Sequence, residues 1–333
     1  MADEDDEDEP IEEIPTYREI VVPPTAAGLR LDRFLALRFR HRSRTEFARG
    51  IREGRVTTPD GATFRASSVV RGGEVLQLHL DALTPSSPPP PFPPILHEDA
   101  RVVAVAKPAG MMVHPAGTRW VWALIGLAKK RWPDHRIDLV HRLDKDTSGV
   151  LLLTKDADAN RSLKLDFKRD HPTKEYLAVA KGDPAWDTLS IDAPIGRENA
   201  EIRIRMAVRD DGLPSRTDVE VVARKPEAGL TLLRCRLRTG RTHQIRVHLA
   251  HVGLPLLGDL LYGVPASVFL HVREHGVDAE VLAVTGAPRH ALHAARLAFR
   301  HPDGHDLTVE APLPDDIAAW WDDPARLPWR RGA

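Results

Sequence analysis

The period of the apolar positions changes several times along the chain, and each change marks an element. Leu31, Phe34 and Leu35 recur at helical spacing, and Ser43 stands where a cap would open a second helix over Arg44–Ile51. After Gly54 the pattern becomes short alternating runs around Val56, Val69–Val70 and Val75–Leu80, broken by Asp60–Gly61 and Gly72–Gly73, which predicts hairpins. Leu83–Pro94 has no period at all. Seven of its twelve residues are proline, so it lacks amide donors and should run as a stiff extended spacer. Beyond it, Val102–Ala106 reads as a strand that Lys107-Pro108-Ala109-Gly110 turns into a loop, and Val121–Trp132 as an amphipathic helix. The short apolar runs Asp138–Val140 and Val150–Leu153 enclose the charge-dense loop His141–Gly149. Leu230–Leu237 reads as a strand with Cys235 buried in it, and Ile245, His248, Leu249 and Val252 fall on one helical face. Trp320, Trp321 and Trp329 suggest a packing helix or a partner contact.

These patterns divide the chain into an acidic, disordered tail over residues 1–25, a small domain at 26–82, a proline-rich linker at 83–94, a large domain at 95–325 and a short tail at 326–333. A length of 333 residues fits two domains at about 150 residues each. The longest apolar run, Trp120–Ala128, falls well short of the ~18 residues that cross a bilayer. An acidic N-terminus is the opposite of a secretory signal, and the single cysteine excludes an internal disulfide framework and a Cys-rich zinc site. A reduced, cytoplasmic setting is therefore expected, with the protein a monomer.

The formal net charge of -1 is an average of two opposed parts. Residues 1–13 carry nine acids and no base, which leaves 47 Lys+Arg against 39 Asp+Glu downstream, a net of +8. Arginine supplies 37 of those 47 cations, and its planar fork suits phosphate or carboxylate. Between Arg30 and Arg55 nine arginines face three acids, an electrostatic footprint for nucleic acid. Here GLRLDRFLA (28–36), SRTEFARGIREGRVTT (43–58) and VVRGGEVLQL (69–78) resemble the αL RNA-binding domain of ribosomal protein S-four and of many RNA-modifying enzymes. That resemblance implies phosphate contacts from Arg44, Arg49, Arg52 and Arg55.

Taken alone, the loop His141–Gly149 leaves several readings open. Asp144 and Asp146 could begin a calcium loop, but the glycine and closing glutamate are missing. A His–Asp pair could orient a nucleophile, yet no Gly-x-Ser-x-Gly elbow supplies one. Neither His243 with His248 nor His290 with His293 has the spacing of a metal-binding HExxH. Asp144 paired to Arg142 as a plain loop contact remains a fourth reading.

The string HRLDKDTSGVLLLTKD (141–156) is similar to the signature of the RluA family of pseudouridine synthases. KPAGMMVHP (107–115), KEYLAVAKG (174–182), RTGRTHQIRVHLAHVGLPLLGDLLYG (238–263) and ALHAARLAFRHP (291–302) follow in the family's order. The resemblance implies an α+β fold: a large, bent, mainly antiparallel sheet with flanking helices, preceded by the small RNA-binding domain. It implies isomerisation of specific uridines in RNA, with large-subunit ribosomal RNA ahead of transfer RNA as substrate, and needs neither cofactor nor metal. Asp144 takes the place of the catalytic aspartate, and Arg246 that of its cation. Tyr176 takes the place of a tyrosine that stacks on the flipped uracil and whose hydroxyl could accept a proton. Arg142 would fill the gap left by the flipped base, and His243 and Gln244 would position the third motif or contact the RNA. A non-catalytic RNA-binding or ribosome-assembly factor of the same fold is the alternative from another class, and an RNA N-glycosidase a third.

Overall fold

The computed structural model describes residues 17–39, 43–79, 89–114, 122–169, 172–198, 202 and 204–324. The acidic run, the prolines at 85 and 88, Trp120 and Val121, Trp329 and the C-terminal tail lie outside them. The chain divides into two compact units, one of Met1–Pro90 with His114–Ala123 and one of Pro91–Val113 with Leu124–Ala333.

In the first unit, strand β1 (Tyr17–Val21) precedes helices α1 (Leu31–Arg38) and α2 (Arg44–Arg52) and strands β2 (Val56–Thr57) and β3 (Val75–His79), with β3 central in an antiparallel sheet. β1 corrects the expectation of a disordered tail up to residue 25. Ile20 and Val22 are buried while Val21 is 64% exposed, the alternation of a half-buried strand, and its ladder covers an edge of β3 that would otherwise stay unpaired. The predicted cap is present as a reciprocal box. Ser43 Oγ accepts from the Glu46 amide at 3.2 Å, and Glu46 Oε2 accepts from the Ser43 amide at 2.8 Å. Leu31, Phe34, Leu35, Phe47, Ile51, Leu76 and Leu78 form the core of this unit.

The second unit is built on a mixed sheet of ten strands. In chain order these are β4 (Ile95–Glu98), β5 (Val102–Lys107), β6 (Asp138–Leu139), β7 (Ser148–Thr154), β8 (Thr173–Lys181), β9 (Thr188–Asp192), β12 (Arg216–Lys225), β13 (Leu230–Leu237), β14 (Leu292–Arg300) and β15 (Asp306–Glu310), with β10 (Ile195–Arg197) and β11 (Met206–Val208) forming a separate hairpin. The spatial order is β4-β5-β7-β14-β8-β13-β12-β9, with β6 beside β7 and β15 beside β14. All pairings are antiparallel except β7 with β14. Helices α3 (Leu124–Arg131), α4 (Ala157–Lys168), α5 (Gln244–His251), α6 (Ala266–His275), α7 (Ala279–Thr285) and α8 (Asp315–Asp322) accompany the sheet.

Every residue of β7 is buried, as its unbroken apolar run requires of a strand covered on both faces. Leu163 of α4 packs with Val150 and Leu152 of β7, and Ile317 of α8 with Val179 of β8 and Leu230 of β13. At the parallel junction Gly149 has φ 119° and lies so close to β14 that a Cβ would overlap the Ala294 carbonyl oxygen. The charged loop before β7 is thereby held against the middle of the sheet.

Candidate active site

Asp144 lies in the loop between β6 and β7, and three successive carbonyls of that loop are tied down. Asp144 O accepts from the Thr147 amide at 3.1 Å, and Lys145 O from the Gly110 amide and from Lys107 Nζ, both at 2.9 Å. Asp146 O accepts from Arg289 Nη1 at 3.0 Å, and Arg289 is itself held by a two-pronged pair with Asp316 of α8. At the far end, Thr147 Oγ1 meets His290 Nε2 at 2.8 Å and Ser148 Oγ meets His293 Nδ1 at 3.0 Å. At the near end, the Leu152 amide donates to His141 Nε2 at 3.2 Å, and that imidazole stacks on Phe167. The loop is irregular in sequence but fixed in space.

Helix α5 brings a cation to the Asp144 side chain. Arg246 Nη1 donates to Asp144 Oδ2 at 2.9 Å, while its Nε and Nη2 donate to the two oxygens of Asp259 at 2.8 and 2.9 Å. Asp259 is wholly buried, and its Oδ1 also accepts from the amides of Leu261 and Tyr262. The guanidinium lies 5.0 Å from the centre of the Tyr262 ring. One carboxylate thus fixes the orientation of Arg246 and leaves its remaining prong for the other, which is 27% exposed.

Burial disfavours the charged form of Asp259, but Arg246, His290 and the amide donors overturn this and bring it from 3.8 to about 2. Burial acts likewise on Asp144, and the surroundings of His243, Arg246 and His290 outweigh it, so that carboxyl also sits below the usual range. Burial lowers both imidazoles in turn, His290 to about 3, so the permanent positive charge beside Asp144 is Arg246. The arrangement presents an ionised carboxylate, oriented and partly accessible, in a low-dielectric setting. That is the electrostatic requirement for a nucleophile or base.

Tyr176 sits in the middle of β8, paired with Cys235 of β13 and Ala294 of β14. Burial and the charge of Asp144 raise its pKa, so it stays a neutral phenol. Arg142 is exposed and has no ion pair among the described residues; the nearest cation to Asp146 is Lys145 at 3.9 Å. The reading of Asp144 paired to Arg142 as a plain loop contact is not what the structure shows, since the partner of Asp144 is Arg246.

Of the two roles expected of Gln244, positioning the third motif or contacting RNA, its hydrogen bonds are those of positioning. It is buried, its Oε1 accepts from Thr239 Oγ1 and the Arg241 amide, and its Nε2 donates to Arg216 O and Thr217 Oγ1. With both ends of the amide saturated, it fastens the start of α5 to β12 and has nothing to offer RNA. His243 faces inward as well, its Nε2 3.8 Å from Asp144 Oδ2 and its Nδ1 2.8 Å from Tyr262 Oη. Its φ of 58° is the one positive value for a non-glycine among the described residues, a strain on the order of 1–3 kcal/mol.

Two residues of the site, Tyr262 and Lys107, were given no role from sequence, and Asp259 was read only as part of the pocket floor at Leu256–Asp259. Asp259 is a lone acid inside the apolar run LPLLGDLLYG, where a charge can be buried only with a partner, and that was a readable signal. Lys107 is buried and donates to the carbonyls of Pro108, Met111 and Lys145, and burial pushes it down to about 7. Among the described residues no group of three His, Cys, Asp or Glu is arranged to hold a metal ion.

In the first unit the four arginines proposed for phosphate differ in freedom. Arg44 Nε is bonded at 3.0 Å to the buried Asp32, which Arg30 also holds, and Arg55 pairs with Glu53 at 2.7 Å. Arg49 and Arg52 are exposed, with no acidic partner among the described residues.

Residues 101–251 match the family described as RNA pseudouridylate synthase. Over 320 residues the chain is 38% identical to the ribosomal large subunit pseudouridine synthase D of Xanthomonas campestris, covering 94% of this chain and 93% of that one. It is 39% identical over 317 residues to an uncharacterized RNA pseudouridine synthase of Chloroflexus aurantiacus, covering 90% and 91%. Among solved structures it resembles human RNA pseudouridylate synthase domain containing 1, with 27% identity and a TM-score of 0.53 over 68% of this chain and 86% of that one.

Proposed function

This chain belongs to the RNA pseudouridine synthases, and on that footing we propose that it isomerises uridine to pseudouridine in large-subunit ribosomal RNA. The observation that carries the reading is the carboxylate of Asp144, kept ionised by an Arg246 that Asp259 holds in place. The name of the Xanthomonas relative supports the choice of RNA.

In the reaction the N1–C1′ bond of uridine breaks, the base turns, and C5 bonds to C1′. The C5 proton leaves and N1 gains one, so nothing is oxidised and atoms balance. Asp144 acts as nucleophile or base. A base inside a stack is out of reach, and its extrusion costs a few kcal/mol, in the range of about 2–5. Arg142, exposed and without an ion pair among the described residues, two residues before Asp144, inserts in the vacated place, and the ring of Tyr176 stacks on the uracil. The first unit works as an αL-type RNA-binding domain. Arg49 and Arg52, exposed and without an acidic partner among the described residues, are its leading phosphate contacts, and Arg44 and Arg55 lie on the same second helix and the turn after it. Among the described residues no helix is long and apolar enough to cross a membrane, and the cytoplasm is the expected site of action.

The test is tritium release from RNA labelled at uracil C5. The unaltered protein should release it and Asp144→Ala should not. Release by the variant would overturn the assignment of Asp144, and free uracil among the products would indicate an N-glycosidase instead.

A further inference from the structure

We propose that His243 is a positioning residue for Asp144, held in a strained left-handed backbone so that its Nε2–H faces the carboxylate, with the Tyr262 hydroxyl fixing the tautomer. The proposal rests on the reading of Asp144 as the reacting carboxylate.

Helix α5 does not need the strain. His243 is its N-cap residue but makes no side-chain capping bond, and an extended residue with a short polar side chain would start the helix at lower cost. What φ 58° does achieve is the aim of the ring, with one nitrogen toward Tyr262 and the other toward Asp144. An outlier of this kind at a reacting group is where function is sought.

The hydrogen bonds assign the protons. Tyr262 Oη accepts from the Met206 amide at 3.0 Å, and burial pushes the phenol up to about 12, so it keeps a proton to place. The acceptor within reach is His243 Nδ1 at 2.8 Å. The proton of the neutral imidazole then sits on Nε2, the nitrogen 3.8 Å from Asp144 Oδ2. That separation is longer than a hydrogen bond, and contacts of this sort commonly tighten when substrate fills the site. Asp144 is thereby flanked by a permanent cation, Arg246, and a neutral donor, His243. The donor adds direction without adding charge. Besides Asp144, the charged or titratable groups acting on His243 among the described residues are Arg246, Asp259 and Tyr262. Because Tyr262 Oη also holds Met206 of β11, the aim of His243 is coupled to the β10–β11 hairpin.

The test uses full-length protein carrying His243→Gly or His243→Asn, both of which accept a left-handed backbone, and Tyr262→Phe, which keeps the ring beneath Arg246. The His243 variants should melt no lower than the unaltered protein and bind RNA unchanged, while the single-turnover rate falls about 100-fold. Tyr262→Phe should lower the rate in the same direction. In the RNA-free protein, the carboxyl ¹³C titration of Asp144 should move up in both His243 variants. Two outcomes overturn the proposal: an unchanged Asp144 titration with unchanged rate, or a loss of RNA affinity equal to the loss of rate, which would make His243 an RNA contact. If the unaltered protein released no tritium, the proposed reaction would fail instead, and the Asp144 titration would still decide the role of His243.

Discussion

Asp259 and Arg246 depend on each other more than either depends on solvent. Removing one member of a buried pair leaves the other charged and uncompensated, a loss of about 3–5 kcal/mol. Asp259→Asn should therefore lower the melting temperature by roughly 10 °C for a unit of this size, read by calorimetry, and should slow tritium release because Arg246 loses its anchor. The acid side of the stability curve carries the same signature. Asp259 is depressed from 3.8 to about 2, so its contribution is fully present above its unfolded value and is lost as pH falls from there toward about 2. A protein whose stability was flat across that interval would show that the pair contributes nothing. Asp144 and Arg246 were legible because they stand in short, dense motifs. For Gln244 the sequence left positioning and RNA contact both open, because a polar residue beside a basic motif suits either, and only the contacts of its amide at the start of α5 distinguish them.

At the scale of elements, the carrier of the site is the passage from loop to β7, and Gly149 is its least replaceable residue. Gly149→Ala would force a Cβ into the Ala294 backbone at a φ that L side chains avoid. We expect a loss of about 3 kcal/mol or more, visible as poor solubility or a melting temperature well below that of the unaltered protein; normal stability would mean β14 can retreat. The capped α2 and the apolar β7 could be read from local pattern, since a cap and an unbroken apolar run are self-contained signals. Strand β1 could not, because Ile20 and Val22 follow directly on acid-rich sequence and their partner β3 lies more than fifty residues away, with Ile20 facing Leu76.

Across the whole chain, the average charge of -1 conceals a +8 body behind a nine-acid segment. RNA affinity should fall steeply between low and physiological salt, since each phosphate contact releases bound counterions; a flat response would count against arginine-led binding. The acidic segment offers the same arginines a competing anion. Deleting residues 1–13 should tighten RNA binding and make it less selective, measured by filter binding against unrelated RNA. Unchanged affinity would leave the segment a solubility tail.

The parallel pairing of β7 with β14 also sets a clock. Ser148 and His293 meet across 145 residues of chain, and Thr147 and His290 across 143. During synthesis at about 5–20 residues per second, the Asp144 loop is complete long before the strand that pins it exists. A nascent chain therefore carries every residue of the HRLD motif and Arg246 while still lacking the contacts that fix the Asp144 loop, and those arrive only once β14 has been made. Chains ending before His290 should be inert toward RNA, however much of the signature they contain.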